Sequence, residues 1–272
     1  MSEEGPRRST WYQFRLGSLL RLTLFVSLIL ALLIQIRESR RLGASLPGPR
    51  REPYLSIDLS GPQIADADLQ WVYGRTDIKF LDLGGTQVTD AGVNRLWLNS
   101  LSELRLNDTK ITDNGLKHFS GQPHLRKLDL SGTKITDAGL KYLSLCGIER
   151  LDLGNTAITG VGMEDVQLGD LSELRLYSTE ITDDGLRHIK EFSGLTDLDL
   201  SRTGISDEGL LHLNGLKSLR FLNLEYTRVT DTGLEHLKEL SKLRRLSLTG
   251  TSVTPEGVQA LQESLPGCDI RH

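Results

Sequence analysis

Residues 128–140 read LDLSGTKITDAGL, and the same line returns as LRLNDTKITDNGL at 104–116 and LRLYSTEITDDGL at 174–186. Its central threonines are Thr86, Thr109, Thr133, Thr156, Thr179, Thr203, Thr227 and Thr251, spaced 23 or 24 residues apart. A degenerate first copy, IDLSGPQIADADL, places Pro62 where the threonine would stand. Self-similarity held in register over more than 200 residues is the signature of a stacked repeat, in which each unit buries its apolar face against its neighbours.

Each offset from the threonine has a physical task. Leucines at −5 and −3 (Leu81/Leu83 through Leu246/Leu248) have the period of a strand and point to one side. Apolar residues at +2, +7 and +10 return along a short helix that covers the same core. The threonine hydroxyl sits at an inward turn and needs a backbone partner. Thr or Ser at +3 suits a helix N-cap, and the Asp that usually follows suits the first turn. Gly at +6, from Gly92 to Gly257, would admit close approach between coils. Strands are predicted near 80–83, 103–106, 127–130, 150–153, 173–176, 197–200, 221–224 and 245–248. After the last helix, Ile270 falls 24 residues beyond Leu246 and begins a truncated edge strand.

These residues resemble the leucine-rich repeat family, in the form LxxLxLxxTxITDxGL with 23–24 residues per copy, over residues 54–272. The resemblance implies an α/β solenoid of about nine repeats, with a curved parallel sheet inside and short helices outside. It also implies non-enzymatic binding of a protein partner through the concave face. Alternatives are a structural or assembly spacer without a specific soluble ligand and, more distantly, a hydrolase.

Ahead of the repeats, residues 1–15 are basic, and residues 16–36 form an apolar run interrupted only by Arg21. As a helix, that run spans about 31 Å, enough to cross a bilayer if Arg21 snorkels to the headgroups. The reading is a single-pass transmembrane helix followed by a Gly- and Pro-containing linker at 37–53. A cleaved signal peptide is the rival, although no small-x-small cleavage site follows. The anchor resembles those of membrane-tethered repeat proteins from planctomycete bacteria. Arginines flank it on both sides, so charge leaves its orientation open; the resemblance favours repeats on the exoplasmic side.

Residues 1–53 carry nine Arg against four Glu, whereas the rest of the chain is acidic overall. An acidic body repels phosphate backbones and argues against a nucleic-acid partner. Cys146 and Cys268 lie five repeats apart, beyond disulfide reach, and no metal or cofactor motif is present.

On the sheet face, equal offsets in successive copies become neighbours about 4.8 Å apart. The −4 row includes Asp82, Arg105, Asp129, Asp152 and Arg175; the −6 row sets Glu103 beside Lys127 and Arg150 beside Glu173. Toward the C-terminal half, Tyr177, Phe221 and Tyr226 fall near Arg175, Arg202 and Glu225. Aromatics with arginine resemble the core of a protein interface, so these ten residues are the candidate protein-binding set: Asp82, Arg105, Asp129, Asp152, Arg175, Tyr177, Arg202, Phe221, Glu225 and Tyr226. His118, His188, His212 and His236 share offset +9 on the convex side and read as a partly exposed surface row.

Overall fold

A computed structural model describes residues 55–272. The basic segment, the candidate transmembrane helix at 16–36 and the linker therefore lie outside the described residues. Among the described residues, no helix is long and apolar enough to cross a membrane.

Ten strands form a single sheet in strict sequence order. They are β1 (Leu55–Asp58), β2 (Ile78–Asp82), β3 (Glu103–Arg105), β4 (Lys127–Asp129), β5 (Arg150–Asp152), β6 (Glu173–Arg175), β7 (Asp197–Asp199), β8 (Phe221–Asn223), β9 (Arg245–Ser247) and β10 (Asp269–Arg271). Each coil of the solenoid takes the number of its strand. From β2 to β10 every pairing is parallel, with leucine opposite leucine as far as β9 (Leu81 on Leu104, Leu128 on Leu151, Leu222 on Leu246) and Ile270 on Leu246 at the last edge. The strands fall where the repeat placed them, β10 included. Most end at offset −4, one residue earlier than expected, because the chain turns at −1. There Gly85, Asp108, Gly132, Asn155, Ser178, Arg202, Tyr226 and Gly250 all take left-handed φ between 53 and 73°.

The core is a column of layers. The −5 and −3 leucines, the +2 residues from Val88 to Val229 and most of the +7 and +10 residues are buried. Each central threonine donates its hydroxyl to the −3 carbonyl of its own coil, for example Thr133 Oγ1 to Leu130 O, at 2.5–2.7 Å throughout. The buried hydroxyl is thereby satisfied, and the turn closes.

The outer arc is an α-helical turn followed in most coils by a 3-10 turn. Thr89, Thr112, Thr136, Thr182, Thr230 and Thr254 cap these turns through their side chains. Two expected caps fail: Ser206 makes no side-chain cap bond, and Thr159 precedes Gly160, which occupies the cap position instead. The Asp after each cap also does more than the sequence indicated. Asp66, Asp90, Asp113, Asp137, Asp183, Asp207 and Asp231 each reach the next coil and accept from the backbone N–H and hydroxyl of its +3 Thr or Ser.

This ladder explains Gly at +6. A Cβ on Gly92, Gly115, Gly139, Gly209, Gly233 or Gly257 would meet the carboxylate arriving from the preceding coil. At Gly162 and Gly185 it would meet preceding backbone instead. The ladder has one gap. Coil 5 carries Gly160 where coils 1–4 and 6–8 carry Asp, so Thr182 receives no carboxylate, and its N–H bonds to Thr159 O at 3.2 Å. The outer arc of that coil is a 3-10 helix alone, Val161–Asp165.

Candidate functional site

The outward-facing side chains of the strands share one sheet face. Strands pack about 4.8 Å apart and helices at 8–10 Å, so a sheet backed by helices curves with this face inside. At offset −4 the carboxylates do not simply stand in solvent. Asp82, Asp129, Asp152 and Asp199 each accept at Oδ1 from the backbone N–H two residues on, at 2.8–3.0 Å. That bond shapes the strand-to-turn corner and fixes the carboxylate, leaving Oδ2 toward the face.

Two ion-pair clusters repeat on this floor. Arg105 pairs with Asp82 at 3.3 Å and Glu103 at 3.0 Å, and Lys127 joins Glu103 at 3.1 Å. Three coils later, Arg175 pairs with Asp152 at 3.5 Å and Glu173 at 2.6 Å, while Arg150 reaches Glu173 at 3.5 Å. The −6 pairings follow the sequence offsets. At −4 each arginine, flanked by two aspartates in the row, pairs only with the one before it.

The Arg175–Glu173 pair divides the face into two open basins. One, of about 620 Å³, spans coils 1–6 and includes Asp82, Arg105, Asp129, Asp152 and Lys127 in its lining. The other, about 470 Å³, lies over coils 6–9 and is lined by Asp197, Asp199, Phe221, Asn223 and Arg245 among others. At the floor of the first, burial pushes the Asp152 carboxyl up to about 6, and the neighbouring Asp129 charge adds to the shift.

The three aromatic candidates occupy different settings. Tyr226 is the exposed one, at 49%, with Arg202 stacked 4.4 Å from its ring centre and its ring lying over Gly250. Both Arg202 and Tyr226 hold left-handed backbone, where the other coils use Gly or small polar residues. Phe221 is half-buried, with Arg245 at 5.5 Å. Tyr177 is also half-buried: its ring fills the space left by Gly154 of the preceding coil, and its hydroxyl reaches Ser131 two coils away. Burial raises its phenol above the ordinary range. Tyr177 is thus built into the face rather than standing free on it. Glu225 donates its backbone N–H to Asn223 Oδ1 and lies beside Tyr226 at the rim.

Sequence reasoning missed a second aromatic group. On coils 1 and 2, Arg95 stacks over Tyr73 at 4.3 Å, and Trp97 is half exposed nearby in sequence. The +11 offset shared by Tyr73 and Trp97 was the available signal. The histidine row is half-buried; His118 bonds the Leu96 carbonyl at 2.7 Å, and His188 accepts from Arg187. Cys146 and Cys268 are buried free thiols, both pushed up by burial, Cys268 to about 11.

The leucine-rich repeat family model matches residues 98–120, 121–144, 195–213, 215–238 and 239–261. An internalin from Listeria monocytogenes shares the fold with a TM-score of 0.60 at 24% identity, over 72% of this chain and 54% of that one. Internalin C2 of the same species gives 0.54 at 24% identity, over 76% of this chain and 84% of its own. The chain therefore spans about half the length of the first of these structures. No curated protein matches it in sequence. The repeat offsets, the sequential parallel sheet, the five stretches matched by the family model and the internalin likeness agree on the fold: the described residues form a parallel-sheet solenoid of the leucine-rich repeat type.

Proposed function

We propose that this chain is a membrane-tethered, non-catalytic recognition module that binds a protein partner through the sheet face of its solenoid. The observation that carries this reading is the sheet face itself. Ten strands in register offer a continuous surface of fixed carboxylates, ion-paired arginines and arginine–aromatic stacks. Short coils leave that surface open, as a groove for a macromolecule rather than an enclosed chamber for chemistry. Arg202, Glu225, Tyr226 and Phe221 form the aromatic anchor region, and Asp82, Arg105, Asp129, Asp152 and Arg175 guide approach and register.

The tether rests on the apolar run at 16–36 with arginines on both flanks. The repeats then face the exoplasmic side, joined to the bilayer by residues 37–53. Two measurements test the proposal. Alkaline carbonate should leave the intact chain in the membrane pellet; a soluble mature form beginning near residue 45 would refute the tether. Cross-linking on intact membranes should capture a protein through Tyr226 and not through His212 on the outer arc. Capture through His212 alone would refute the sheet-face reading.

A further inference from the structure

The sheet face has a sign. Arg105, Lys127, Arg150, Arg175 and Arg245 each have a carboxylate within 4 Å. The reverse does not hold: no described lysine or arginine comes that close to Asp129, Asp197 or Asp199. The face therefore holds a surplus of negative charge, split between the floors of the two basins. We propose that the partner presents a basic segment, and that its arginine or lysine side chains enter the two basins on either side of the Arg175–Glu173 pair. This rests on the sheet-face reading above and names the partner's chemistry.

Geometry supports the assignment. Asp129 and Asp152 stand on adjacent strands, about 4.8 Å apart. Each has Oδ1 held by a backbone amide. Asp129 Oδ2 and the side of Asp152 Oδ2 turned away from Arg175, which holds it at 3.5 Å, can take the two edges of one guanidinium, or one ammonium between them. Tyr177, seated over Gly154, walls that position on the coil 6 side. In the second basin Asp199 is likewise held by the Ser201 amide at 2.9 Å and is bordered by Phe221 and Arg245.

From the midpoint of β4 and β5 to β7 is two and a half strand spacings, about 12 Å. Four residues of extended chain cover that distance, and residues four apart lie on the same side of such a chain. The raised Asp152 carboxyl is consistent with this: two acids sit together on a partly desolvated floor, and a bound cation relieves both.

The test uses the full chain in zwitterionic detergent micelles and labelled Gly/Ser peptides carrying arginine, or glutamate, at every fourth position, read by fluorescence anisotropy. The double variant Asp129→Asn/Asp199→Asn removes two charges while each carboxamide oxygen still accepts its backbone bond. The control Asp184→Asn/Glu239→Gln removes the same charge from exposed outer positions. The arginine peptide should bind the control within about twofold of the parent and the face variant at least about tenfold more weakly, with a shallower salt dependence. Equal losses in both variants would reduce the effect to net charge and overturn the proposal. Preferential binding of the glutamate peptide, lost in Arg202→Ala/Tyr226→Ala, would overturn the basic partner while leaving the sheet face as the binding surface. Binding of either peptide that ignores every face substitution would overturn both.

Discussion

Replacing Asp207 with alanine isolates one rung of the ladder that joins successive coils. The carboxylate accepts from Thr230 N at 2.8 Å and from Thr230 Oγ1 at 2.6 Å, across the junction of coils 7 and 8. Bonds to an ionised acceptor contribute about 1.5–3 kcal/mol each, but Thr230 is only part-buried and its hydroxyl can turn to water. Loss of the acid from the first helical turn adds a few tenths. Asp207→Ala should therefore cost about 2–3 kcal/mol. Gly233→Ala tests the same contact from the other side, because the new methyl would collide with the Asp207 carboxylate and press Leu210 Cδ1 at 3.1 Å. Overpacking of this kind costs about 1–3 kcal/mol, less up to about 1 kcal/mol gained from alanine's helix propensity. With the carboxylate gone, most of the collision goes too. The double variant should be no less stable than Asp207→Ala alone, giving a coupling of about 1–2 kcal/mol. Urea unfolding of the four proteins, followed by circular dichroism at constant m-value, measures it. Strict additivity, or a loss below about 0.5 kcal/mol for Asp207→Ala, would refute the ladder as a source of stability.

Three further outcomes are expected from the geometry. Leu128→Ala empties a position that is 2% exposed between two leucine layers and should cost about 2–5 kcal/mol in the same assay; a change below about 1 kcal/mol would contradict the layered core. The Asp152 carboxyl titrates in the folded chain at about 6, above its unfolded value, so its burial penalises folding above that pH, and the penalty disappears as pH falls below about 4. Asp152→Asn keeps the Gly154 bond and should raise stability by about 1 kcal/mol at pH 7.5, after discounting for solvent that reaches the group, with no gain at pH 4; a variant less stable than the parent at pH 7.5 would refute this. Tyr226→Ala should weaken a bound partner by about 1–4 kcal/mol in calorimetry while costing the fold no more than about 1 kcal/mol, because its ring is half exposed and its arginine stack there is worth about 0.5–1 kcal/mol; Tyr177→Ala should destabilise the fold more, since its half-buried ring packs over Gly154 and its hydroxyl reaches Ser131.

Strand positions, register, the buried threonine and the edge strand at Ile270 were all legible in the sequence, because a fixed offset repeated many times reports one environment many times over. What stayed hidden depends on contacts between different offsets. The +4 aspartate looked sufficient as a helix-start residue, and nothing in the pattern showed that Asp113 would cross to Thr136. Once the crossing is known, the paired recurrence of Asp at +4 and Gly at +6 is its signature. Tyr177 misled for a similar reason. Its own offset marked it as exposed, whereas Gly154, one coil earlier at the same offset, opened the space into which it folds. The left-handed corner at −1 was partly readable from Gly85, Asp108, Gly132 and Asn155, and was masked by Arg202 and Tyr226, which adopt the same φ without the usual residue types.

The substitution of Gly160 for an aspartate has a mechanical consequence. Four rungs precede it and three follow, so the outer arc is two clasped spans meeting at one unclasped joint. A pull along the long axis loads every joint in series, and the one with the fewest fastenings parts first. At that same joint the opposite side is closely laced: Arg175 grips Asp152, Arg150 grips Glu173, and Tyr177 reaches back across two coils to Ser131. Strain would therefore open the outer arc like a book, with the sheet between coils 5 and 6 as its spine. The two halves would separate as intact leaves, and the floor shared by the two basins would bend before it broke.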